Sequence, residues 1–430
     1  MNLLVLSDAF WPDHTGGISK SLLSEVEGLV ALGHRVVVVT RRTKRSTSAY
    51  ERRSGYDLYR YAAPPGGSPL YRTYPLFTLI QIPRLVAWLD EKFNFDVAYV
   101  HNAFQAAALF KCSRFVPYVY AFHAPTPSEV EIEASAGKYG VATPLIRIAI
   151  HWVRRKERQA LAYAGAVIAR SNFMIEEMKR LYNNIATGKI FRVPLGVDVC
   201  RYSLLEDPRM VRDELGLPKD RPILLTVRRL VARMGLANLI VAMGQVINQE
   251  PQALLLIGGK GYLEHSLRAQ VRELNLEANI QFLGFIPEDK LVKYYQAADL
   301  FVLPTLALEG FGLSTIEALS CGTPVIATPV AANPEVLEAL GKEFISADTT
   351  PEALAERIIW FLGQNARIEI RRKCRAYCEA NFRIDKVVNS IAQILEAVAT
   401  RRSQRESGLQ TSETDESRGD LLNPRITTLL

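Results

Sequence analysis

Short runs of consecutive apolar residues, separated by helical patterns, constrain this chain more than anything else in it. "LLVLSD" (3–8), "RVVVVT" (35–40), "DVAYVH" (96–101), "YVYAFH" (118–123) and "AVIARS" (166–171) form one series. A second follows "VPLGVD" (193–198): "ILLTV" (223–227), "ALLLIG" (253–258), "IQFLG" (280–284), "DLFVLP" (299–304) and "PVIAT" (324–328). The apolar residues are contiguous rather than alternating, as in parallel strands buried on both faces. Two successive β/α series predict an α/β chain with two doubly wound Rossmann-like domains facing a cleft. The joint falls at the Pro-Leu-Gly stretch near 194–196 and the "CRYSLLEDP" after it. Ligands in such sheets bind beyond the carboxyl ends of the strands. A helical run over roughly 350–400 closes the fold, and the polar, aperiodic residues 401–430 read as a disordered tail.

Bulk properties agree. The chain's 430 residues allow two or three domains, with 48% hydrophobic and 23% charged residues. No apolar run approaches the ~18 residues of a membrane span. "MNLLVLSD" reads as a first strand without a secretory leader. Five scattered cysteines, Cys112, Cys200, Cys321, Cys374 and Cys378, argue for reduced thiols in the cytoplasm. Cys374 and Cys378 share a helix face with nothing to complete a metal set, so they read as packing residues. Residues 1–200 hold 25 Lys+Arg against 16 Asp+Glu, an excess of +9, and the remainder holds 27 against 29. Such a basic half raises nucleic acid, an anionic membrane and an anionic substrate. An ordinary mildly basic enzyme is the simplest account, and no basic, aromatic-studded groove speaks for nucleic acid.

The chemistry concentrates in "LEGFGLSTIEAL" (308–319). Glu309 lies in the loop above a strand end, and Glu317 lies in the helix beyond, which stops at Gly322. Gly310 and Gly312 clear the backbone for a close approach. Free amides at a helix start attract a phosphate, and carboxylates beside it accept hydrogen bonds from hydroxyls. A phosphate carrying many hydroxyls is a sugar nucleotide. For Glu-x7-Glu alone, a solvated loop residue and an ordinary helix glutamate are the simpler account; the Gly-x-Gly between them brings the binding account level. Arg228, Arg229 and Arg233 follow another strand and suit a diphosphate, although alone they read equally as surface arginines. "IGGKG" (257–261) is a glycine turn. "SDAFWPDHTGGISKS" (7–21) offers Gly16 and Gly17 before a helix, a second loop that fits a phosphate or a plain turn. His101 and His123 end their strands.

With these residues in order, the sequence resembles the retaining, nucleotide-sugar-dependent family-4 glycosyltransferases of GT-B fold over roughly residues 1–395. "HTGGI", "FHAP", "VPLGVD", "RRLVARMG", "IGGKG", "FLGFIP", "PEVL" and above all "YYQAADLFVLPTLALEGFGLSTIEALSCGTPVIAT" carry the likeness. The resemblance implies an acceptor-binding domain over 1–198 and a nucleotide-sugar-binding domain over 199–380. C-terminal helices cross back to the first domain, with 381–400 packing on it. Glu309 would bind donor-sugar hydroxyls. The backbone from Gly310 through Phe311 and Gly312 to Leu313 would hold the donor phosphates, and Glu317 the ribose. Arg229 would stabilise the departing diphosphate, with Arg233 and Gly259 also on the donor. His123 would lie near the reacting sugar, and Gly16 and Gly17 near the donor phosphates and acceptor. The catalytic set is then His123, Arg229 and Glu309. No cofactor or tightly bound metal is implied, since basic groups do that work.

Two positions depart from the family pattern. Met234 stands where a lysine is common, so Arg233 or Arg228 would substitute, or leaving-group stabilisation is weaker. Ala331-Ala332 stands where glycine is usual.

The implied reaction moves a hexose from a UDP- or GDP-sugar to a hydroxyl of a glycan or lipid-linked acceptor, in cell-surface polysaccharide or glycolipid biosynthesis. "RRTKRSTSAYERR" (41–53), read as a basic loop, and the helix "LIRIAIHWVRRKERQAL" (145–161) suit either a solvated face or peripheral contact with the membrane's inner face. A nucleotide-sugar epimerase of the same fold and a sugar-nucleotide binder that does not transfer are the other readings.

Overall fold

The computed structural model describes residues 1–406 apart from 15, 43, 45, 66–67, 113, 136–142, 183–184 and 366. The chain divides into two compact units: Met1–Glu131, Tyr139–Leu195 and the chain from Ile384, and Ile132–Lys138 with Gly196–Arg383.

Along the chain run β1 (Asn2–Leu6), α1 (Gly17–Ala31), β2 (Arg35–Arg42), β3 (Tyr50–Arg53), β4 (Tyr56–Ala62), α2 (Tyr74–Phe93), β5 (Val97–Val100), α3 (Ala103–Leu109), β6 (Tyr118–Phe122), α4 (Thr126–Ser135), α5 (Thr143–Tyr163), β7 (Ala166–Ala169), α6 (Asn172–Leu181) and β8 (Ile190–Arg192). Then come α7 (Pro208–Glu214), β9 (Ile223–Val227), α8 (Leu236–Gln249), β10 (Leu254–Gly258), α9 (Glu264–Glu273), β11 (Ile280–Gly284), α10 (Glu288–Ala297), β12 (Leu300–Leu303), α11 (Leu313–Ser320), β13 (Val325–Ala327), α12 (Asn333–Leu337), α13 (Pro351–Leu362), α14 (Arg367–Asn381) and α15 (Ile384–Glu406).

In the first unit the sheet order is β3-β4-β2-β1-β5-β6-β7-β8. All neighbours are parallel except β3 and β4. The contiguous apolar runs are explained by the pleat, which sends successive side chains to opposite faces. Leu4, Leu6, Val37 and Val39 join one core under α2 and α3. Leu3, Val5, Val36 and Val38 join another, which α1 covers with Leu22, Val26 and Leu29, and α15 with Val388, Ile391 and Leu395. A strand with both faces covered has no polar side to show.

The second unit has a five-stranded parallel sheet, β11-β10-β9-β12-β13. Leu255, Ile257, Leu300 and Val302 pack there with Leu239 and Met243 of α8. In this order β9 is central. The chain winds outward from it to β10 and β11, then returns to β12 on its other side. That reversal places the ends of β9 and β12 next to each other at a switch point.

The structure corrects the reading of 41–53 as a loop. Arg41 and Arg42 end β2, and Arg52 and Arg53 end β3 of a hairpin with β4. Polarity misleads here because buried polar groups of the hairpin are paired. Arg60, on β4, donates to Asp13 and to Glu51 (3.0 Å). Strand β8 was also not anticipated. Helix α15 continues to Glu406, through the first residues of the stretch read as a tail; 407–430 lie outside the described residues. Cys374 and Cys378 are fully buried on α14, as packing residues are. Among the described residues no helix is long and apolar enough to cross a membrane.

Candidate functional site

Arg228 is the first residue after β9, and Thr305 follows β12 by one proline. Because those strands are neighbours, the two side chains meet: Arg228 Nη1 donates to Thr305 Oγ1 at 2.7 Å. Arg228 Nη2 donates to Glu309 Oε2, and Thr305 Oγ1 also faces that oxygen (3.4 Å). The Arg228 and Glu309 side chains are only 5% and 15% exposed. Burial pulls the guanidinium down from its usual range while Glu309 opposes that shift. Glu309 Oε1 makes no hydrogen bond among the described residues. The carboxylate is therefore pinned through one oxygen and presents the other.

The loop that carries Glu309 is fastened by its backbone. Leu306 N donates to Arg233 O (2.9 Å), and Ala332 N to Glu309 O (3.2 Å). Arg233 Nη1 donates to Leu308 O (3.0 Å) and lies 3.9 Å from Met234 Sδ. Thr328 Oγ1 donates to Thr305 O at 2.6 Å. Leu308 and Ala331 have φ of 55° and 56°, and Gly312 of 88°. Left-handed backbone at a leucine and an alanine is strain held by surrounding contacts, a frequent mark of functional loops. It also explains Ala331: the position asks for the glycine that the family usually has. Gly235 (φ 71°) and Gly259 (φ 124°) cannot be otherwise, since a Cβ on them would stand 1.7 Å from Pro304 O and Arg228 O respectively.

Gly312 caps α11 without any side chain accepting from the first turn. The amides of Leu313 and Ser314 make no hydrogen bond among the described residues, as expected for the first turn of a helix. Glu317 lies within α11. It is 3% exposed and accepts from Tyr295 OH at 2.9 Å. The Phe311 ring packs edge-on against Phe382, so only its backbone is left for a ligand. Arg229 is exposed and Met234 buried.

The first unit holds the rest of the expected set. His101 Nδ1 and His123 Nε2 share a hydrogen bond of 2.8 Å at the ends of β5 and β6. Burial, then the Arg170 charge, pushes His123 down to about 3, and burial holds His101 well below the usual imidazole range. Both are neutral near pH 7, so they can orient a group but not protonate it. Behind them, Glu25 accepts from Arg170 Nη2 (2.7 Å) and Tyr99 OH (3.0 Å), and the Tyr99 ring meets His101 edge-on. Gly16 caps α1 with no side-chain bond, and Gly17 begins it; both are exposed. Thr15 lies outside the described residues.

The structure thus gathers Glu309, the α11 entrance, Arg233 and Gly259 in the second unit, and the histidines and Gly16–Gly17 in the first. Sequence reasoning read Arg228 as one of three arginines suited to a diphosphate, or as a stand-in for the lysine, and not as a partner of Glu309. The strand order that makes it the partner of Glu309 is a tertiary property. Thr305, Tyr295 and the Glu25–Arg170 pair were missed for the same reason.

Two family models match in succession: residues 15–201 match Glycosyltransferase Family 4, and 209–406 match Glycosyl transferases group 1. The chain belongs to the group 1, family-4 glycosyltransferases. An uncharacterized glycosyltransferase of Methanocaldococcus jannaschii is 27% identical over 79% of this chain and 83% of its own length. A GDP-mannose-dependent monoacylated alpha-(1-6)-phosphatidylinositol monomannoside mannosyltransferase of Corynebacterium glutamicum is 32% identical over 53% of this chain, which spans 61% of that relative. The solved sucrose-phosphate synthase of Thermosynechococcus elongatus superposes with a TM-score of 0.73 over 95% of this chain and 99% of its own, at 24% identity. The fold is GT-B, and the transferase uses a nucleotide sugar, as this family of retaining enzymes does.

Proposed function

We propose that this transferase moves a hexose, with retention, from UDP- or GDP-sugar to a hydroxyl of a glycan or lipid-linked acceptor. The fixed Glu309 carboxylate, with Oε2 pinned by Arg228 and Oε1 presented, is the observation that carries the reading. Oε1 accepts from a donor-sugar hydroxyl. The first-turn amides of α11 receive the diphosphate, with Arg229 and Arg233 supplying positive charge. Glu317, held by Tyr295 through Oε2, takes the ribose. The anomeric C–O bond to phosphate breaks as the acceptor oxygen bonds to the same face. The acceptor's proton passes to the leaving diphosphate, so no enzyme carboxylate is consumed. His123, neutral, accepts a hydrogen bond rather than moving a proton.

The corynebacterial relative makes GDP-mannose the first donor to try, and a phospholipid-borne polyol the first acceptor. Exposed Ile148 (71%) and Trp152 (36%) on the basic helix α5 favour contact with an anionic leaflet on the cytoplasmic side. In pelleting tests the protein should bind anionic vesicles at low salt; absence of binding there removes the membrane contact.

The test of the donor site compares wild type with Glu309→Ala. Transfer should fall by about 10²–10³-fold, while the calorimetric affinity for UDP or GDP stays within about threefold, a shift below ~1 kcal/mol. Equal transfer rates would sink the assignment. Donor binding with neither release nor transfer in wild type would turn the reading to a binding protein, for which the neutral Met234 is the leading cause.

A further inference from the structure

A second cluster of polar groups sits in the first unit at the carboxyl ends of β1, β2 and β4, and the mechanism above does not use it. Asp8 follows β1 by two residues, Arg41 lies in β2, and Tyr61 is Arg41's register partner on β4. Asp8 and Arg41 are 9% and 4% exposed. The guanidinium lies 4.9 and 4.4 Å from the ring centres of Tyr71 and Tyr74, and its Nη2 donates to Tyr71 OH at 3.2 Å. Asp8 Oδ1 accepts from Tyr61 OH at 2.7 Å, and Tyr61 is held in turn by Thr78. On the next pair of strands Arg60 shows what a closed arrangement looks like, with Asp13 and Glu51 both satisfied.

The Arg41 arrangement is open. Arg41 Nη1, Asp8 Oδ2 and His14 Nε2 are all buried and make no hydrogen bond among the described residues. Asp8 and Arg41 feel each other's charge, yet no ion pair forms between them. A purely structural pair would close Nη1 on Oδ2. Leaving one end of a buried charged side chain without a partner carries a larger desolvation cost than it does for a neutral group. The ring stack accounts for the guanidinium plane, and the tyrosine bonds account for one end of each side chain. Three atoms of complementary demand remain: Nη1 calls for an anionic oxygen, Oδ2 for a hydroxyl, and Nε2 belongs to a ring that feels the Arg41 charge. The sheet order reverses between β1 and β5, so the cluster borders a switch point, where open α/β sheets take ligands.

We propose that Arg41, His14 and Asp8 form the acceptor-reading corner of the first unit, and that the acceptor is a phosphate ester of a polyol. The phosphate takes Arg41 Nη1 and His14 Nε2, and a neighbouring hydroxyl donates to Asp8 Oδ2. The Tyr71–Arg41–Tyr74 stack fixes the guanidinium so that little ordering is left to binding. This rests on the transferase reading for the word acceptor, but the ligand chemistry stands on the cluster alone.

The test is calorimetry on the full chain with inositol 1-phosphate and glycerol 3-phosphate, against inositol, glycerol and inorganic phosphate. A second arm uses phosphatidylcholine vesicles with and without phosphatidylinositol. The phosphorylated polyols should bind at least about tenfold more tightly than the free polyols, from one charge-assisted contact. Arg41→Gln should remove that preference and Arg41→Lys should restore part of it. Asp8→Asn should leave phosphate binding but erase the preference for polyol phosphate over inorganic phosphate. Thermal unfolding checks that each variant is folded, and His14→Ala supplies a loop variant if Arg41→Gln is not. Binding in the soluble arm identifies a free ester, and binding to phosphatidylinositol vesicles alone identifies a lipid headgroup. No preference in either arm, or one that survives both Arg41→Gln and His14→Ala, overturns the proposal. UDP and GDP titrated into the same preparations keep the readings apart. Polyol phosphate bound without nucleotide contradicts the donor site only, and nucleotide bound without polyol phosphate contradicts this corner only.

Discussion

The proposed donor site turns on the Arg228–Glu309 pair, because a carboxylate that is to bind neutral hydroxyls has to be held still. Arg228 holds it. Removing one partner of a buried pair leaves the other uncompensated, so Arg228→Met should cost about 3 kcal/mol of stability. Arg228→Met with Glu309→Met should cost less than the two single changes summed, as chemical denaturation of all four proteins would show. Ala331 makes the opposite case. Its φ of 56° costs an L-residue roughly 1 kcal/mol. Ala331→Gly should therefore change stability by under about 1 kcal/mol, the relief being offset by a looser unfolded chain. Ala331→Val should destabilise by about 2 kcal/mol, since a β-branched residue is strained there. Melting curves of the two variants check both signs. The sequence marked Glu309 because glycines flank it. It could not mark Arg228 as its partner, since nothing local to either residue says that β9 and β12 are neighbours.

At the scale of elements, strand ends bring titratable groups together, and pH should report on them. The folded-state value of His123 lies near 3, below that of the unfolded chain at 6.5. The unfolded chain thus binds more protons between those values, and stability rises with pH there. The contribution is fully present above about pH 6.5 and is lost as pH falls toward 3. Glu157 on α5 has the opposite sign. Buried and accepting from Tyr182 OH, it is pushed up from 4.5 to about 7. Its contribution is full below about 4.5 and fades as pH rises through 7. Glu157→Gln should stabilise the protein at pH 8, on the order of 2 kcal/mol, and do little at pH 4.5. His123→Asn should flatten the acid limb. Denaturation midpoints measured from pH 4 to 8 separate the two. The long apolar strands were legible to within a residue or two because both their faces are buried. The hairpin of β3 and β4 was not, because its inward side chains include Asp57 and Arg60, whose polarity is masked by partners that only the folded chain supplies.

At the scale of the whole molecule, each unit has its own sheet and core, and the first, like the second, is not continuous in sequence. Its second face is completed by α15, from almost the far end of the described chain. Leu395→Ala should cost about 2–5 kcal/mol, read as a shift of the first unit's unfolding transition. A chain ending at Arg383 should lose that transition while the second unit's sheet survives. The two β/α series were plain in the sequence, since their apolar runs repeat, whereas the open Arg41 corner beside Asp8 shows only in the folded chain. The measurement that tests the account most directly is nucleotide release from UDP-glucose, UDP-galactose, UDP-N-acetylglucosamine and GDP-mannose, by wild type and Glu309→Ala. The sugar's anomeric configuration is followed by NMR. The account predicts selective release from one donor, lost in Glu309→Ala, with the configuration retained. Release that survives the substitution, or an inverted product, would contradict it.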